Sequence, residues 1–63
     1  RRMNMTSKEL SYLNDALNSE QVIIKKYQDY SAVVSDQQIV TVLNDLTSKH
    51  QQHYNQLLQQ LNS

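Results

Sequence analysis

Glycine and proline are both absent from this chain, and with them go the residues that most often build hairpin turns and loops. There is little room for anything but helix. Cysteine is absent too, so no disulfide can staple the fold, and a reducing interior suits the composition. The formal net charge is zero, with six basic and six acidic residues. No long-range field is then available to draw in nucleic acid or an anionic membrane, and both are excluded as partners. No apolar run approaches the roughly 18 to 20 residues of a membrane span, and no basic stretch followed by an apolar block marks a signal peptide. These absences describe a soluble, intracellular chain. Arg1 and Arg2 precede Met3 and Met5, and residues 1–5 are expected to be a disordered arm or a remnant of expression, ahead of a single folded unit at 6–63.

Sixty-three residues allow one small domain, whose core supplies no more than roughly 3–5 kcal/mol on its own. A metal, oligomerisation or very regular helix packing must contribute the rest. Glutamine and asparagine are plentiful, yet the apolar residues among them keep helical spacing, which disordered polar tracts do not. The amides read as a neutral outer face.

Thr6-Ser7-Lys8-Glu9 is a capping box that starts a helix at about Ser7. Leu10, Leu13, Leu17, Glu20, Ile24, Tyr27, Ser31 and Val34 then alternate steps of three and four, the seam of a packed helix. Ala16, Ile23 and Tyr30 recur at seven beside it and widen the apolar stripe to what a helix inside a bundle needs. After Val34 the phase slips, and Ser35-Asp36-Gln37-Gln38 offers a second capping pattern, with Ser35 as the expected cap and Gln38 reaching back. A single continuous helix is the competing reading. The second helix carries Ile39, Leu43, Leu46, His50, His53, Leu57 and Leu61 on its seam, with Val40, Val42, Tyr54 and Leu58 alongside.

The expected fold is therefore all-α: an antiparallel hairpin of helices at about 7–34 and 36–61, each roughly 40 Å long. A lone hairpin leaves each wide apolar stripe half exposed. Two hairpins packed face to face cover them, so a homodimeric four-helix bundle is expected.

Each seam carries polar interruptions. Glu20 stands where the first helix calls for a leucine, and His50 and His53, the only histidines, stand where the second calls for apolar residues. With a tight turn near residue 35, antiparallel pairing places Glu20 opposite position 51, between the two histidines. The same register sets Tyr27 beside Asn44. Two imidazoles and a carboxylate are a familiar ligand set for a divalent transition metal such as zinc or iron, making Glu20, His50 and His53 the candidate metal ligands. The alternative is a hydrogen-bonded polar layer that fixes register and partner, as a buried asparagine does in coiled coils. Burial of Glu20 demands one or the other, since an unpartnered carboxylate there would cost several kcal/mol or become neutral. Tyr27, Tyr30 and Tyr54 read as core and boundary aromatics. No serine or threonine has a triad-like setting, and no glycine loop cradles a phosphate.

Glu20-Gln21, Lys25-Lys26-Tyr27-Gln28-Asp29-Tyr30, Ser35-Asp36-Gln37-Gln38 and Lys49-His50-Gln51-Gln52-His53-Tyr54-Asn55 together resemble the short spore-coat-associated proteins of endospore-forming Firmicutes, related to the coat protein F group. Glu20 and Tyr27, faced by paired ligands on a second helix, also resemble half of a ferritin-like bundle. The resemblance runs from Ser7 to Leu61. It implies a ferritin-like hairpin that pairs into a bundle, in a non-enzymatic structural or assembly component of the spore coat, with other coat proteins as further partners. Ferritin-like sites use a glutamate from one helix and Glu-x-x-His from the next. Glu20 and His53 match, but His50 stands in place of the second glutamate. That departure removes the bridging carboxylate of a di-iron centre and leaves a histidine-rich site or a polar layer without metal. Two other functions compete: a small metalloprotein that stores or oxidises metal using Glu20, His50 and His53 from both chains, and a hairpin that docks on a larger protein.

Overall fold

A computed structural model describes residues 5–62; the expected arm lies outside the described residues except for Met5. Two helices form an antiparallel hairpin, α1 at Ser7–Val33 and α2 at Gln37–Asn62. Among the described residues there is no strand, and no helix is long and apolar enough to cross a membrane.

The start of α1 follows its local chemistry. Thr6 Oγ1 accepts from the Glu9 backbone N–H at 3.1 Å, and Glu9 Oε1 accepts from the Thr6 N–H at 2.9 Å, which satisfies two donors that a helix end leaves orphaned. The Thr6 backbone N–H first, and the Thr6 side chain second, hold the exposed Glu9 carboxyl below its usual range. The end of α1 falls one residue earlier than expected. Val34 takes an extended conformation, and its N–H closes the last turn onto the Tyr30 carbonyl.

The expected cap at Ser35 is corrected to Asp36. One oxygen of the Asp36 carboxylate accepts from the N–H of Gln38 at 2.9 Å and of Ile39 at 3.4 Å, while the Asp36 carbonyl takes the first helical bond, from Val40. A carboxylate is an acceptor of full charge beside the positive end of the helix, so it outcompetes the neutral hydroxyl one residue earlier. No described non-glycine residue has a positive φ. The turn is therefore made from Val34, Ser35 and Asp36 in ordinary conformations, which the missing glycine requires.

Packing departs from the expected seams in a consistent way. Leu17 and Ile24 are the buried apolar residues, and Glu20 lies between them at 8 % exposure. Leu10 and Ile39, both expected on the seam, are 41 % and 48 % exposed. On α2 the half-buried residues are Val40, Leu43, Leu46, Thr47, His50, Tyr54, Leu57 and Leu61, so Val40 and Tyr54 join the seam while Ile39 and His53 move to its flank. With a single neighbouring helix, only the middle of each wide stripe can turn inward. Thr47, which also faces the seam, satisfies its own hydroxyl on the Leu43 carbonyl at 2.8 Å.

The hairpin measures 47 × 18 × 11 Å. Its thin dimension is one helix diameter, about 10–12 Å, so the two helices form a single layer where a stable domain has two.

Asp36→Ala is expected to lower stability by about 1 kcal/mol, whereas Ser35→Ala stays within about 0.5 kcal/mol of wild type. Thermal unfolding followed by circular dichroism at 222 nm separates the two, and equal losses would return the cap to Ser35.

Candidate functional site: a carboxylate held by two imidazoles

The layer expected from the seam anomalies is formed. Glu20 projects from the middle of α1 across to α2, where helical spacing sets His50 and His53 on one side three residues apart. His50 Nδ1 lies 2.6 Å from Glu20 Oε1, and His53 Nδ1 lies 2.6 Å from Glu20 Oε2. Each carboxylate oxygen thus has its own imidazole, and both contacts are in the short range of charge-assisted hydrogen bonds.

Burial in the seam pushes the Glu20 carboxyl upward, but hydrogen bonds from His50 and His53, and the charge those rings can carry, outweigh it and hold the carboxyl below its usual range. Glu20 is therefore ionised near neutral pH. An ionised carboxylate only accepts, so both Nδ1 atoms must donate. This fixes the proton on Nδ1 of each ring and leaves each Nε2 as the remaining nitrogen.

The surroundings of the two rings differ. The His50 side chain is 29 % exposed and the His53 side chain 54 %, because His50 points into the seam and His53 along its flank. Tyr27 packs its ring against His50, with centroids 5.7 Å apart at a 56° tilt. This corrects the expected pairing of Tyr27 with Asn44, whose Oδ1 instead accepts from the Ser31 hydroxyl at 3.4 Å. Side chains lean toward the N-terminus of their own helix. In an antiparallel pair the two leans oppose, so contacts join residues displaced from simple backbone register. The same displacement brings Gln21 Nε2 to the Tyr54 hydroxyl at 3.1 Å, a polar contact beside the layer that spacing alone did not reveal.

Lys25 and Lys49 lie outside the site. They form exposed i,i+4 pairs with Asp29 and Asp45 at 3.1 and 3.5 Å, each worth a few tenths of a kcal/mol at most.

As a metal centre, the layer assigns different roles to its members than a three-ligand set would. Glu20 is engaged with both Nδ1 atoms and acts on the rings, the arrangement by which a carboxylate orients metal-ligating histidines. The donors left over are the two Nε2 atoms. Among the described residues no group of three or more His, Cys, Asp or Glu side chains is arranged to hold a metal ion. One chain offers two nitrogen donors, and a closed tetrahedral site takes four ligands.

No known family model, curated protein or solved structure matches this chain.

Glu20→Ala removes the partner of both imidazoles and is expected to cost about 2–4 kcal/mol. The pH dependence has a definite sign. A carboxyl whose folded-state pKa is depressed contributes stability above its unfolded value and loses it as pH falls through the folded value. Wild type should therefore lose stability as pH drops below the usual carboxylate range, and Glu20→Gln should flatten that part of the curve while Glu9 still contributes its share. Urea unfolding at a series of pH values measures both, and an unchanged slope in Glu20→Gln would contradict the depressed pKa.

Proposed function

We propose that this chain is a non-enzymatic assembly component of the bacterial spore coat, working as half of a ferritin-like four-helix bundle made with a second copy. The observation that carries the assembly reading is the single-layer shape with large apolar side chains on its surface. Tyr12 is 61 % exposed, Tyr30 49 %, Ile39 48 % and Val42 57 %. The hairpin exposes 4977 Å², where a folded monomer of its mass exposes roughly 4200 Å².

Energetics support the same conclusion. Among the described apolar side chains only Leu17 and Ile24 are buried in the single hairpin, and covering more apolar surface is the main source of stability open to it. A second hairpin adds apolar burial without adding a new kind of contact. The polar layer suits a structural part: both carboxylate oxygens and both Nδ1 atoms are committed to one another, which fixes how the helices align. The spore-coat assignment rests on the resemblance of the Lys25–Tyr30 and Lys49–Asn55 phrases to short coat proteins.

A metal-binding reading has one specific observation in its favour. With each Nδ1 held by Glu20, the Nε2 atoms of His50 and His53 are pre-oriented as ligands, and a symmetric dimer doubles them. Zinc or iron bound there would cross-link the bundle, and iron with an open coordination position would add redox chemistry.

Native mass spectrometry and elemental analysis of untagged protein distinguish these readings. A metal-free dimer that survives the combined His50→Ala and His53→Ala change is the expected result for a structural component. Metal in whole-number ratio, lost in the double variant, would establish the metalloprotein instead. A monomer at all concentrations would favour docking on a larger partner. Detection of the chain in spore-coat extracts with a specific antibody tests the location, and its absence there would remove the coat assignment.

A further inference from the structure

The two broad faces of the hairpin are unlike. Along α1, Tyr12, Ala16, Ile23 and Tyr30 follow one another at helical steps. A groove lined by Tyr12, Ala16 and Leu57 shows that this row lies on the same side of the hairpin as Leu57. On α2, steps of four and three lead back from Leu57 through His53, Lys49 and Leu46 to Val42. The opposite side is built differently. There a groove is lined by Gln21, Lys25, Gln28 and Gln51 together with Ile24 and Tyr54, and its large exposed apolar residues, Leu10 and Leu58, lie toward the open end. The first face carries more of the large apolar side chains, interrupted at mid-hairpin by Lys49 and His53, and the other is amide-rich.

The polar layer has a second property. Glu20 is the middle residue of α1 and His50 is one of the two middle residues of α2. When two identical layers overlap fully about a two-fold axis, the centre of each falls on the centre of the other, whichever way the axis runs. A layer placed elsewhere along the hairpin would meet its counterpart in some arrangements and miss it in others.

We infer that a second copy of this chain seats on the face bearing Tyr12, Ile23, Tyr30, Val42, His53 and Leu57, and that this seating joins the two Glu20–His50–His53 layers at the centre of the interface. The inference rests on the self-pairing proposed above and specifies the surface through which it occurs. A second copy is the occupant because the dimensions match. A face of 47 × 18 Å has an area on the order of 850 Å², against roughly 800 Å² per partner in a stable protein interface. It also supplies the missing second layer at equal length, with polar centre meeting polar centre. A longer or differently patterned partner would set apolar residues against the polar middle. His53, on the flank of its own seam and half exposed, is the member of the layer that the second copy covers. His50 is already screened by Tyr27.

Sedimentation equilibrium and double electron–electron resonance test the surface separately from the self-pairing. Val42→Glu is expected to weaken dimerisation by at least about 100-fold, because it buries a charge against apolar side chains. Gln28→Glu adds the same charge to the other face and should change it less than about threefold. Since the chain has no cysteine, Lys49→Cys and Gln51→Cys each accept one spin label, at mid-hairpin on the apolar and amide-rich sides. Across the dimer the label pair at 49 should be closer than the pair at 51 by roughly two helix diameters, about 20 Å. A dimer with this order reversed, or with equal distances, would overturn the assigned face and leave the bundle standing. A monomeric wild-type chain would overturn both.

Discussion

One carboxylate bridging two imidazoles is the constraint on which the rest of the hairpin depends. Glu20 sits between Leu17 and Ile24 in the most enclosed part of the seam, where an unpartnered charge could not persist. Its two oxygens are separated by a fixed geometry, and so are His50 and His53, one helical step apart. The pairs match only when α2 presents that step directly to α1. Sliding either helix by a turn would break both contacts and strand the charge. Apolar packing is tolerant of such slips, because one leucine replaces another along a seam; the polar layer is not. Hydrophobic contact thus draws the helices together, and the Glu20 layer decides how they align.

That division of labour explains why so thin a structure can be specific. A single layer has no enclosed interior, and every side chain off the central line retains some contact with water. Stability must come from covering the apolar side, while specificity comes from groups that tolerate only one alignment. Placing the polar layer at the midpoint serves both needs. The hairpin fixes its own register there, and a symmetric partner, if seated as proposed, would meet it at the same height. Polar layers of this kind cost stability relative to leucine, and the cost is best justified where the wrong alignment would otherwise be nearly as favourable as the right one.

Much of this was legible in the residues. The missing glycine and proline, the Thr6 capping box and the phase slip after Val34 define two helices and a short turn, with boundaries within a residue or so of those observed. The meeting of Glu20, His50 and His53 followed from antiparallel register alone. What the sequence left ambiguous has identifiable causes. Ser35 and Asp36 are both good caps, and only the competition between a hydroxyl and a carboxylate for the same N–H groups selects Asp36. The stripe on α2 is broad enough to be read through Ile39 and His53 or through Val40 and Tyr54, and the choice depends on how many helices share the core. The opposed lean of side chains shifted Tyr27 from Asn44 to His50. Each departure arises where a one-dimensional pattern permits two arrangements and a neighbouring element chooses.

The same hydrogen bonds that make the layer a register device also prepare it for coordination, so the structural and metal-binding readings share an origin. With Nδ1 of each ring donating to Glu20, the carboxylate holds both rings in place. Within one chain the consequence is limited, since two donors fall short of a closed site and His53 remains open to water. The proposed pairing through the apolar face would alter that count, bringing four such nitrogens to one central layer. Whether the layer acts as a lock or as a ligand cage is then decided by the spacing between the two copies. A wide central gap leaves the imidazoles to water and to one another, and a narrow one directs their free nitrogens to a common point. In the proposed dimer, the choice between scaffold and metalloprotein would therefore come down to the distance between the two layers at its centre.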